Sequence, residues 1–165
     1  MILDRLIAEA AGQVRHRLWV ISDLQQQYPE RATHCMVRAV EDYLSLRMPC
    51  EAVCYLGDAV EGHNPDFLLE MAEMQVRELA KVGAPVYYIL GNHDFDYYDL
   101  HRERLTHVSL PFWEHVCQTP GWRTQGDVRD LFFMADMGDY ALCFLPDHAD
   151  LGTGFDLAGF GRFGG

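Results

Sequence analysis

The sequence predicts an α/β fold with a parallel sheet. Three short apolar runs alternate with two segments of helical periodicity, and every run stops at a polar or Gly-containing turn. The alternation implies right-handed crossovers, which place the strands side by side with their carboxyl ends at one edge. A length of 165 residues with 49% apolar and 23% charged side chains fits one globular domain.

The elements follow in order. Met1 to Gln13 carries Leu3, Leu6, Ile7 and Ala10 at helical spacing, interrupted by Asp4, Arg5 and Glu9, and reads as an amphipathic helix. This gives an N-terminal helical extension over residues 1–16, with neither a signal peptide nor a membrane span. Arg17 to Ser22 is a buried strand that stops at Asp23. Glu30 to Arg47 places Ala32, Cys35, Met36, Ala39, Val40, Tyr43 and Leu44 on one helical face, and Pro49 stops the helix. Ala52 to Leu56 repeats the strand design and ends in Gly57-Asp58. A second helix runs from Pro65, a favourable first-turn proline, to Lys81, with Phe67, Leu68, Met71, Met74 and Leu79 for the core and Glu70, Glu73 and Glu78 on a solvated face. Val86 to Leu90 is the third strand, ending in Gly91-Asn92-His93-Asp94.

Beyond it, a further helix fits Tyr97 to Cys117, and the runs Leu131 to Ala135 and Ala141 to Leu145 form a hairpin around Met137-Gly138-Asp139. Residues 151–165 are a glycine-rich flexible tail. The main domain is therefore expected over residues 17–150.

The charge balance narrows the partners. Thirteen Lys plus Arg against 25 Asp plus Glu give a net charge of −12, so non-specific affinity for nucleic acid is not expected. Five cysteines without a CxxC pair or a secretory leader read as reduced, mostly core thiols in a cytoplasmic protein.

Ligands of open α/β sheets bind outside the carboxyl ends of the strands, so Asp23, Asp58 and Asn92 should converge although they are far apart in sequence. Carboxylate and amide oxygens with an adjacent imidazole suit divalent cations, and a pair of such ions stabilises both the attacking and the leaving oxygen of phosphoryl transfer. Phosphoester hydrolysis is the reaction this donor set suits.

The segments Asp23-Leu24-Gln25, Gly57-Asp58-Ala59-Val60-Glu61 and Gly91-Asn92-His93-Asp94, in this order at three strand ends, resemble the first three motifs of the calcineurin-like metallophosphoesterase family. The resemblance covers Arg17 to Asp96 and implies a β-sandwich with flanking helices. It also implies a metal-dependent phosphatase or phosphodiesterase that uses two divalent metal ions and a metal-bound hydroxide on a phosphoester substrate. Asp23 and Gln25 would ligate metal, Asp58 would bridge the two ions and Asn92 would ligate the second. His93 would face the substrate as the catalytic histidine, Asp94 would orient its ring, and Glu61 would support the site from behind the ligands.

The chain departs from the family pattern at two places. Gln25 stands where the family commonly has histidine, which tilts the choice among Mn, Fe, Mg and Zn toward Mn. The family's later Gly-His-x-His type motif has no counterpart among His101, His107, His115 and His148. The chain accordingly resembles the N-terminal half of the domain plus a hairpin, with an unpaired sheet edge open to self-association. The alternative expectation is a truncated, catalytically inactive metal-binding or interaction module of the same family.

Overall fold

In the computed structural model, residues 14–61, 65–94, 110–124 and 133–145 are described. The expected helix over 1–13, the tail over 151–165 and the histidines His63, His101, His107 and His148 lie outside these residues. So do the aromatic residues Phe95, Tyr97 and Tyr98.

Four strands, β1 (Leu18–Ile21), β2 (Ala52–Tyr55), β3 (Val86–Tyr88) and β4 (Trp122–Arg123), form a sheet in the order β1-β2-β3-β4. All three pairings are parallel, with Leu18 opposite Ala52, Val53 opposite Val86, and Val86 opposite Trp122. The connections carry α1 (Pro29–Ser45), α2 (Leu68–Ala80) and α3 (Leu110–Gln118), with a 3-10 turn at Pro65–Phe67 leading into α2. A further pair, β5 (Phe133–Asp136) and β6 (Ala141–Phe144), is an antiparallel hairpin.

Strand alternation divides the sheet into two faces. Val53, Tyr55, Val86 and Tyr88 point into one core with Met36 and Val40 of α1, Met71 and Leu79 of α2, and Phe112 and Val116 of α3. Cys54 and Ile89 point to the other face, where they meet Ala135 and Phe144 of the hairpin. Tyr87 stacks on Phe144 at 5.5 Å and Phe144 on Phe133 at 4.6 Å. The result is a sandwich with three helices on one side of the parallel sheet and the hairpin on the other.

Several expectations change in detail. Strand β4 is too short for sequence periodicity to reveal; it exists because the Val86 N–H finds the Gly121 carbonyl at 3.0 Å, with Gly121 at φ 89°. On α1, Cys35 and Leu44 are exposed whereas Tyr43 stacks on Trp19 at 4.5 Å, so the buried face is narrower than predicted. Phe67 is exposed at the start of α2. Glu78, expected in solvent, is buried and paired with Lys81. Only Cys54 of the five free cysteines is buried, because Cys35 and Cys143 lie on outward positions and Cys50 and Cys117 on half-buried ones.

The hairpin is also tied down by polar contacts at its tip. Tyr140 donates its hydroxyl to Glu51 Oε2 at 2.8 Å, and His16 Nδ1 lies 3.1 Å from Glu51 Oε1. The Tyr140 hydrogen bond, followed by the His16 contact, holds the Glu51 carboxyl below its ordinary range. A lowered folded value means that the link contributes at pH above the ordinary carboxylate range and is lost as the pH falls through the lowered value. Amide hydrogen exchange should therefore show protection of residues 133–145 falling relative to β2 on acidification, and Glu51→Gln should flatten that dependence.

Candidate metal centre at three strand ends

The three motifs sit where β1, β2 and β3 end. After β1 and β2 the chain keeps running in parallel: the Asp23 N–H donates to the Gly57 carbonyl at 3.2 Å, Gln25 to Asp58 at 2.7 Å and Gln26 to Ala59 at 3.2 Å, and Glu61 returns a bond to Gln26 at 2.9 Å. Two loops are thus fastened as an irregular extension of the sheet.

This ladder bends because Asp23, Gln25 and Asp58 adopt left-handed backbones, with φ of 59°, 45° and 53°. Such conformations cost a non-glycine residue about 1–2 kcal/mol each, least for Asp, and they recur where function fixes a side chain's direction. Four non-glycine residues among those described have positive φ, and three of them are residues to which the family resemblance gives a metal-binding role.

Asp94 joins the third loop to the second. Its carboxylate accepts from the backbone N–H groups of Asp58 (2.8 Å), Ala59 (2.8 Å), Val60 (3.1 Å) and Gly91 (2.7 Å). It is fully buried, and burial pushes its carboxyl up to about 6 against the opposing pull of the Gly91 and Val60 amides. The neighbouring Tyr88 hydroxyl is buried and makes no well-formed hydrogen bond; burial first, then the Asp94 charge, keeps it protonated.

The glycines of the second and third motifs are required by proximity. A Cβ on Gly57, itself at φ 86°, would lie 2.2 Å from the Gly91 nitrogen, and a Cβ on Gly91 would lie 2.0 Å from Asp58 Oδ1. The loops touch backbone to backbone, which brings the His93 N–H within 2.8 Å of Asp58 Oδ1.

His93 follows Asn92, which opens a 3-10 turn spanning Asn92–Asp94. The sequence reading gave Asp94 the task of orienting the His93 ring. In the structure the carboxylate on that ring is Glu61, with Oε1 2.7 Å from His93 Nδ1. The reason is spatial: Asp94 lies beneath the turn with its oxygens directed at backbone amides, whereas Glu61 is carried to the imidazole by the second loop. In accepting from Nδ1–H, the Glu61 carboxylate selects the ring tautomer whose other nitrogen, Nε2, carries the lone pair.

A polar network that the sequence did not disclose supports these loops. Gln75 of α2 donates to Gln26 Oε1 at 3.0 Å and to the Ala59 carbonyl at 2.9 Å, and accepts from the Tyr55 hydroxyl at 2.9 Å. Gln26 and Gln75 are completely buried. The available signal was a lone Gln among the apolar positions of a helix, which is weak because its partner lies forty-nine residues away.

Asp23 and Asp58 line one cavity of about 610 Å³ between the sheet and the hairpin. Asp23 is exposed and accepts a short hydrogen bond from Ser22; Asp58 is buried. Among the described residues no three His, Cys, Asp or Glu side chains form a metal cluster. The residues nonetheless fit a divalent cation in donor chemistry, since two carboxylates on constrained backbones share a cavity beside loops that also carry Gln25 and Asn92.

The family profile described as calcineurin-like phosphoesterase matches residues 16–156. The chain belongs to that family. Its members' dependence on divalent metal ions accords with the carboxylates found here. Among solved structures, the calcineurin-like chain is similar to a dimetal phosphatase from Danio rerio, with 23% identity and a TM-score of 0.41 over 47% of this chain. The similarity spans 29% of that phosphatase's length. No curated protein matches. No described helix is long and apolar enough to cross a membrane.

The Asp94 clamp has a direct test. Asp94→Asn keeps the shape but turns an NH2 group toward backbone N–H donors, so chemical denaturation should show a loss of about 3 kcal/mol. Gly91→Ala, which forces a methyl group onto Asp58, should unfold at lower denaturant in the same assay by about 2 kcal/mol or more.

Proposed function

We propose that this chain is a metal-dependent phosphoester hydrolase. The observation that carries the reading is the placement of Asp23 and Asp58, on left-handed backbones at adjacent parallel strand ends, in one cavity beside a histidine oriented by a buried glutamate. Asp23, Gln25, Asp58 and Asn92 would hold two divalent ions, and the oxygen-rich set favours Mn over Fe, Mg or Zn. When bound, the ions supply charge neutralisation at the phosphoryl oxygens and a lowered pKa for water.

The protein's own groups do the rest. Asp58 receives the His93 N–H on Oδ1, so metal ligand and histidine move as one unit. His93 steadies a phosphoryl oxygen or delivers a proton from Nε2 to the leaving oxygen, with Glu61 holding the ring on its Nδ1 side. Asp94 is a positioning residue that acts through the backbone of the second and third loops. A phosphoester is the substrate in this reading, either a monoester or a diester. A cytoplasmic location belongs to the same proposal, supported by five free thiols.

A second reading is a metal-binding or interaction module of the family without turnover. The observation favouring it is that β1 is an edge strand, paired only with β2 among the described residues. Self-association would then proceed through β1, one of the two edge strands of the parallel sheet among the described residues.

The two readings separate on p-nitrophenyl phosphate and bis-p-nitrophenyl phosphate with added Mn, with metal content and molecular mass measured on the same samples. Under the first, Asp58→Ala abolishes turnover, His93→Ala lowers kcat by about 10²-fold or more, and Glu61→Gln lowers it by about tenfold with a displaced pH profile. Under the second, metal binds without turnover in any variant and the mass exceeds that of a monomer.

A further inference from the structure

The cavity that holds Asp23 and Asp58 has a second character. Its walls are Val20 of β1, Leu56 at the end of β2, and Leu142, Phe144 and Leu145 of the hairpin segment. Val20, Leu56 and Leu145 are 55%, 42% and 52% exposed, and all three line one carboxylate-bearing hollow. Scattered exposed apolar residues need no explanation, whereas three that line one hollow with two carboxylates give it an apolar side and a polar end.

We infer that this cavity selects phosphoesters carrying an apolar arm, such as an aryl group, with the phosphoryl group at the Asp23 and Asp58 end and the arm against Val20, Leu56 and Leu145. The inference rests on the phosphoesterase reading and adds the substrate class. Continuity carries it: carboxylates and apolar walls belong to the same hollow of about 610 Å³, a size that accommodates a small organic ester. The hairpin supplies one wall, and its attachment through Phe144 stacked on Tyr87, and through Tyr140 to Glu51, fixes the width of the slot. Leu56 follows β2 by one residue and stands two positions before Asp58, so apolar contact and metal ligation are carried by the same loop.

The test compares binding of 1-naphthyl phosphate, methyl phosphate and inorganic phosphate to the full Mn-loaded chain by calorimetry, with turnover of both esters followed separately. Naphthyl phosphate should bind about tenfold or more tightly than methyl phosphate. Leu56→Ser combined with Leu145→Ser, both at exposed positions that leave the core intact, should remove that preference and leave inorganic phosphate binding unchanged. Preferential naphthyl phosphate binding without turnover would sustain the cavity's specificity while overturning the hydrolase reading. Turnover of both esters with equal affinity would do the reverse. Equal or absent binding in a chain of twice the monomer mass would show the slot closed by a second copy, which also overturns the inference.

Discussion

The buried carboxylate of Asp94 is the constraint on which the site depends. Four backbone amides from two loops converge on its two oxygens, so the end of β2 and the end of β3 are held as one body. Burying a carboxylate is costly, and the displacement of its protonation toward pH 6 is the sign of that cost. The cost is offset only if every lone pair is used, which is what the convergent amides accomplish. Asp58 is then directed into the cavity while its Oδ1 takes the amide of His93.

The rest of the architecture serves this junction. A sheet in simple sequential order sends its crossover helices to one side, and Gln75 of α2 reaches under the loops to bind Gln26 and the Ala59 carbonyl. On the opposite face, among the described residues, a two-stranded hairpin covers Cys54 and Ile89 and bounds the cavity that Asp23 and Asp58 line. Helical packing therefore provides rigidity behind the strand ends, and on the other face the hairpin and the strands enclose the cavity that Asp23 and Asp58 line. The close approach of Gly57 and Gly91 belongs to the same design, because side chains there would drive the second and third loops apart.

Much of this was legible in the sequence, for identifiable reasons. Apolar runs ending in Asp23, Gly57-Asp58 and Gly91-Asn92 announced parallel strands with chemistry at their ends, since a fully buried strand shows as a continuous apolar segment. The hairpin announced itself through two short runs around Gly138, which the structure places at φ 90°. Strand β4 escaped because two residues carry no periodicity, and the burial of Glu78 escaped because packing against other elements, not its local i,i+3 pairing with Lys81, decides which helix face is covered.

The sequence by itself determined the order of β1 to β3 and their helices, the parallel sheet, the family and the residue types gathered at the strand ends. These follow from local patterns that each segment carries alone. Tertiary structure decided which carboxylate serves which partner: Glu61 takes the His93 ring and Asp94 takes the backbone. It also decided that the hollow beside Asp23 has apolar walls from β1 and the hairpin. Adjacent motifs present chemically equivalent carboxylates, and only the relative placement of loops from distant parts of the chain distinguishes them, since a hydrogen bond is set by distance and direction rather than by residue type.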